Sequence, residues 1–107
     1  MGKKRKEHDR MIDDLLHLVR NDYENVRKKV NVDGQCEIDL LGIIDDDFVD
    51  IYEVKSYDSK YCKRNAYWQL HRNVHHIDGK KFVNDLYLYT PVGLYLLKGE
   101  YFILLQT

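Results

Sequence analysis

Two apolar runs separated by three aspartates constrain this chain more than any other feature. Residues 36–44 and 48–55 are rich in Ile, Leu, Val, Phe and Tyr, and they flank Asp45-Asp46-Asp47. Short apolar runs bounded by turn residues read as strands, so the pair reads as an antiparallel hairpin. The apolar side chains fall on both faces of each run. Only a sheet covered on both sides hides such strands from water.

Two amphipathic segments offer the cover. Residues 7–29 carry Met11, Ile12, Leu15, Leu16, Val19, Tyr23 and Val26 at three- and four-residue steps that continue to Val30, which predicts a helix over 7–29, with Asp33-Gly34 breaking the pattern. Asp58 or Ser59 can cap a second helix running to Ile77, with Ala66, Leu70 and Val74 turned inward and Asp78-Gly79 as its stop. The remaining third alternates strand material with turns at residues 84–90, 94–97 and 101–105. The expected order is therefore helix, hairpin, helix, strands, an α/β chain built on a mixed sheet with helices on its faces. With 107 residues it fits one domain spanning 1–107, with residues 1–6 as a basic, flexible arm.

Bulk chemistry excludes some classes. No apolar run approaches membrane-spanning length, and Met1-Gly2-Lys3-Lys4-Arg5-Lys6 lacks the apolar stretch of a signal peptide. An intracellular, cytoplasmic setting and no membrane partner are expected. Cys36 and Cys62 stand alone, so neither a disulfide framework nor a structural zinc site is indicated. The net charge is only −1, but basic residues gather locally, notably Lys60, Lys63, Arg64 and Arg72 around the second helix. These are the candidate contacts to a phosphate backbone.

The chemistry is carried by Asp39, Glu53 and Lys55. Asp39 interrupts the apolar run Ile38-Asp39-Leu40-Leu41, where strand propensity disfavours an acid. Side chains alternate along a strand, so Glu53 and Lys55 share a face, and the hairpin brings Asp39 beside them. Two half-buried carboxylates repel one another unless a cation lies between them. Hard carboxylate oxygens with few other donors suit Mg²⁺, which keeps several waters and accepts phosphate as a further ligand. A lysine alongside can orient an attacking water and offset charge on a phosphate. A short D…ExK match taken alone is more often a cross-strand ion pair. The acid inside an apolar run, the ExK closing the next strand and the capped helix that follows favour the chemical reading.

Glu37-Ile38-Asp39-Leu40-Leu41 followed by Ile51-Tyr52-Glu53-Val54-Lys55-Ser56 resembles the signature of PD-(D/E)XK nucleases, in the style of archaeal Holliday-junction resolvases and small phage or virus nucleases. The resemblance implies a restriction-endonuclease-like core in α-β-β-α-β order, here with an extra C-terminal β-hairpin. It implies Asp39, Glu53 and the Val54 carbonyl as metal ligands and Lys55 as the catalytic lysine. The metal would be Mg²⁺, with Mn²⁺ able to substitute. The activity implied is a DNA endonuclease, structure-selective for branched DNA. The alternatives are an exonuclease acting on ends or single strands, and a catalytically silent nucleic-acid-binding module of the same fold. Some relatives add an acid from the first helix; of Glu7, Asp14 and Glu24, Glu7 is the candidate. Others carry Q-x-x-x-Y on the second helix, of which only Gln69 is present, since Asn73 stands four residues on. The literal Pro-Asp is also absent, because Ile38 precedes Asp39.

Other residues tempt without the spacing to match. His71 and His75 are four apart on the predicted second helix, yet no third ligand accompanies them. Tyr57, Tyr61 and Tyr67 surround the ExK exit and can stack on bases, although dense tyrosines more often pack a sheet. A homodimer is expected, with Tyr95, Leu97, Phe102 and Leu104 of the C-terminal hairpin as its face or as an internal sheet edge.

Overall fold

The computed structural model describes residues 2–77, 79 and 81–106, the side chains of 2–5 and 106 excepted. Helix α1 (Gly2–Val19) and a short 3-10 turn (Arg20–Asp22) lead into strands β1 (Asn25–Val32), β2 (Cys36–Ile43) and β3 (Phe48–Val54). Helix α2 (Lys60–Ile77) follows, then β4 (Phe82–Thr90), β5 (Gly93–Lys98) and β6 (Tyr101–Gln106). The six strands form one sheet in the order β1-β2-β3-β4-β5-β6. Among the described residues only β3 and β4 run parallel, with α2 as their crossover; the other neighbours are antiparallel. The architecture is mixed α/β, with two helices on a mixed sheet.

The hairpin expected at residues 36–55 forms as β2 and β3. Its acidic turn works by local capture: Asp45 Oδ1 accepts the backbone N–H groups of Asp47 and Phe48 at 2.8 and 2.9 Å. Ser59 caps α2, its Oγ accepting the Cys62 N–H at 3.0 Å. The expected stop at Asp78 lies outside the described residues, while Gly79 has φ +88°.

One element departs from the sequence reading. The helix expected over residues 7–29 ends at Val19, and residues 25–32 are strand β1, so β1 precedes the hairpin. Val26 and Val30 are four apart, a step that keeps side chains on one face of a strand as well as on one side of a helix. Spacing therefore does not separate the two, and β-branched valines favour the strand. The Asp33-Gly34 pair is the β1–β2 hairpin turn rather than a helix end. Both residues take left-handed backbone (φ 51° and 69°), and Gln35 N–H closes the turn on Val32 O at 2.9 Å. The order is thus α-β-β-β-α-β plus the C-terminal hairpin. Residues 2–6, expected as a flexible arm, continue α1 in their backbone; the side chains of 2–5 lie outside the described set.

Alternation along β3 divides the core. Tyr52 and Val54 join Met11, Ile12, Leu15 and Val19 of α1, together with Leu40. Val49 and Ile51 join Leu70 and Ile77 of α2, together with Leu41. Each buried aliphatic side chain contributes about 1.5–3 kcal/mol of transfer free energy. The two-faced hairpin is sandwiched as its composition requires. Strand β6 forms one edge of the sheet, with Tyr101, Ile103, Leu104 and Leu105 exposed. Of the residues expected at a dimer face, Tyr95 is buried, and Leu97 and Phe102 pack against the α2-side core, which leaves Leu104 outward. No helix among the described residues is long and apolar enough to cross a membrane.

Candidate active site

Asp39 and Glu53 follow the last paired residues of the hairpin. The β2–β3 ladder ends at Leu40 opposite Tyr52, and the next residue on each strand is an acid. There the ladder gives way to a side chain: Val54 N–H donates to Asp39 Oδ2 at 2.9 Å. Beyond it, Lys55 N–H turns to the neighbouring strand and bonds Tyr89 O at 3.0 Å. The chain is thus anchored on both sides of the Glu53-Val54-Lys55 triplet.

The two carboxylates are only 7% and 5% exposed. Burial, then the charge of Asp39, pushes the Glu53 carboxyl up to about 8; Lys55 and His8 oppose that rise. Lys55 Nζ lies 3.6 Å from Glu53 Oε2. These groups line a cleft of about 470 Å³ with Cys36, Glu37, Ser56, Tyr57, Gln69, Arg72 and Asn73. Within it, Gln69 Oε1 is buried and accepts no hydrogen bond from the described residues.

His8 also lines this cleft, and the sequence reading overlooked it. Its Nε2 donates to the Val54 carbonyl at 2.9 Å and stands 3.4 Å from Asp39 Oδ2. The hydrogen bond to Asp39 raises the imidazole above its ordinary value, against partial desolvation. Helix α1 therefore reaches the site through His8, whereas Glu7 is exposed and outside the cleft. One signal was available: His8 falls in step with Met11, Ile12, Leu15 and Val19, a polar residue on the buried stripe of a helix. Buried Asn73 was missed for the mirror reason, since an amide on an inward helix position looks like an interruption of the core.

The basic candidates separate by position. Arg72 lines the cleft, and Lys60 and Arg64 are exposed along α2. Lys63 is engaged: it lies 3.4 Å from Asp58 and 4.6 Å above the Tyr95 ring. Asp58 in turn accepts Thr90 Oγ1 and Tyr95 OH at 2.8 Å each. The His71 ring sits 4.4 Å from Tyr67, outside the cleft.

The donor chemistry bears on the implied metal. Two buried carboxylates and a backbone carbonyl form a hard-oxygen set that is short of positive charge, because Glu53 holds its proton to about pH 8. That set fits a divalent cation. Among the described residues, no group of three His, Cys, Asp or Glu side chains is arranged to hold a metal ion. The fit therefore rests on two carboxylates and the Val54 carbonyl, with His8 bonded to that carbonyl. No known family model, curated protein or solved structure matches the chain.

Proposed function

We propose that this chain is a Mg²⁺-dependent nuclease hydrolysing phosphodiester bonds in DNA, acting as an endonuclease. The observation that carries this reading is the buried Asp39–Glu53 pair with Lys55 Nζ 3.6 Å from Glu53, in a cleft also lined by Arg72. Asp39, Glu53 and the Val54 carbonyl would hold the cation. When bound there, it would polarise the scissile phosphate and lower the pKa of a water. Lys55 brings three N–H donors to the same spot, where they hold a water or a phosphate oxygen as negative charge builds. Val54 N–H fixes one oxygen of Asp39. Arg72 offers a planar, permanently charged contact to a flanking phosphate.

The restriction-endonuclease-like fold belongs to the same proposal. It is supported by the succession of α1, the β2–β3 hairpin, α2 and β4. Selectivity for branched DNA suits a domain with little surface beyond the cleft. A homodimer would form by antiparallel addition at the exposed β6 edge, whose backbone groups complement a second copy of themselves. One observation favours a second reading, a silent binding module: His8 occupies the Val54 carbonyl.

Cleavage of a labelled panel (four-way junction, flap, single strand, linear duplex) in Mg²⁺ or Mn²⁺ tests the proposal, beside Asp39→Ala and Lys55→Ala. Metal-dependent cutting lost in both variants is the expected result. Binding without cutting under either metal would replace it with the silent module.

A further inference from the structure

The solvent side of α2 carries a pattern that phosphodiester hydrolysis does not require. Trp68, the sole tryptophan of the chain, is 63% exposed and Tyr61 is 70% exposed. Tyr61, Trp68 and Arg72 stand at i, i+7 and i+11, close to whole turns of an α-helix, so they form one stripe along it. Gln69 and Arg72 place the stripe at the border of the cleft, and Tyr57, another exposed ring at 54%, lines the cleft itself.

Burial does not explain these rings. The core side of α2 is already filled by Cys62, Ala66, Leu70, Asn73 and Ile77. An exposed tryptophan forgoes the hydrophobic gain of an aromatic side chain. Trp68 is nonetheless held: the Tyr67 ring meets it edge-on at 5.1 Å and 84°.

Charge identifies the occupant. Every charged side chain of the 18-residue α2 is cationic, Lys60, Lys63, Arg64 and Arg72, with three histidines and no Asp or Glu, in a chain of net charge −1. A ligand that satisfies exposed flat rings and a run of cations together is a polyanion with accessible π-faces. Duplex DNA offers phosphates but keeps its base faces stacked, whereas a single strand offers both. The rise between Tyr61 and Trp68 is about 10 Å, room for about three stacked nucleotides.

Resting on the nuclease reading of the adjoining cleft, we propose that the Tyr61–Trp68–Arg72 stripe binds single-stranded DNA. The stripe stacks unpaired bases and leads the strand to Asp39, Glu53 and Lys55. The substrate class is then DNA that presents unpaired nucleotides beside the cut, such as a flap, an overhang or an opened junction.

Trp68 supplies its own probe. The full chain in EDTA is titrated with a dT oligonucleotide of about 12 residues, within the usual span of such sites, and with a blunt duplex of equal length. The expected result is quenching of Trp68 emission by the single strand and at least tenfold weaker binding of the duplex. Tyr61→Ala and Trp68→Ala, read by anisotropy of a labelled strand, each weaken single-strand binding about tenfold. Both rings are exposed, so unchanged melting temperatures are expected and confirm that folding is intact. Equal affinity for duplex, single-strand binding without quenching, or unchanged binding in both variants would overturn the proposal. So would a Trp68 that no DNA quenches, in which case the stripe is a docking face for protein. The two readings fail separately: Lys55→Ala abolishes cutting while leaving quenching intact. Cutting that survives Trp68→Ala with unchanged affinity sinks the stripe alone.

Discussion

Gly42→Ala is expected to destabilise the fold through one ring on the opposite side of the sheet from α2. Gly42 is buried in β2 with no left-handed backbone, so its requirement is one of space. A Cβ there would lie 2.5, 2.6 and 2.7 Å from Tyr23 Cζ, Cε1 and Cε2. Carbon atoms rest at about 3.5–4.0 Å, so the ring must retreat by about 1 Å. Its hydroxyl is pinned: Tyr23 OH donates to Asp50 Oδ2 at 2.5 Å and lies 2.5 Å from Tyr52 OH. Overpacking costs about 1–3 kcal/mol, and losing a hydrogen bond to a buried carboxylate about 1.5–3 kcal/mol. The sum is about 2.5–6 kcal/mol where both apply in full and nearer 3 kcal/mol where the ring tilts. For a chain of this length that lowers Tm by roughly 15 °C. Calorimetry and urea unfolding of wild type, Gly42→Ala, Tyr23→Ala and the double variant close a thermodynamic cycle. With the ring gone, the alanine should cost almost nothing. Equal losses in both backgrounds would refute the steric argument.

Three further outcomes follow from the buried polar groups. Glu53 normally titrates near 4.5 and here near 8, so the native state binds its proton more tightly than the unfolded chain does. The stability it contributes is full below the unfolded value and lost as pH rises through about 8, and Asp50 and His8, both raised, act in the same direction. Tm of the metal-free protein should fall between about pH 5 and 8. Saturating Mg²⁺ or Glu53→Gln should flatten that slope, and a rising profile contradicts the assignment. His8→Ala removes an imidazole whose Nε2 occupies Val54 O at 2.9 Å and lies 3.4 Å from Asp39, so Mg²⁺ affinity by calorimetry should rise several-fold; a loss would make His8 a ligand. Asp58→Ala strands the buried Thr90 and Tyr95 hydroxyls, and chemical denaturation should register a loss of about 2–3 kcal/mol.

The parts of the fold that were legible in the sequence are those where one local signal acts alone. The hairpin announced itself by two apolar runs around an Asp-rich turn, and α2 by Ser59 and its inward residues. Strand β1 was hidden because Val26 and Val30 extend the stripe of α1 at a step common to both periodicities. The Asp33-Gly34 pair, a strong hairpin signal in its own right, was outweighed by that stripe. In the site, Asp39, Glu53 and Lys55 could be named because their spacing is set within a single hairpin. His8 reaches Val54 across 46 residues of sequence, a tertiary contact that no local pattern encodes. Gln69 and Arg72 were named from their places on the predicted second helix, and the packing of α2 on the sheet brings both into the cleft while leaving Lys60 and Arg64 outside it.

The strand order implies a sequence of folding events. β1-β2-β3 and β4-β5-β6 are two up-and-down meanders whose contacts are all between consecutive strands; the sheet becomes one only where β3 meets β4 in parallel. Consecutive hairpins close in microseconds, whereas a parallel pair must wait for its crossover helix to form and dock. The rate-limiting barrier should therefore lie at the β3–β4 seam, with Leu86, the partner of Ile51 across it, showing a lower φ-value than Leu41 within the first meander. Asp39 and Glu53 would be forced together early, on the nascent first meander, before the Tyr89 carbonyl of the second arrives to anchor Lys55. Their mutual repulsion then makes a bound cation or a proton a participant in folding.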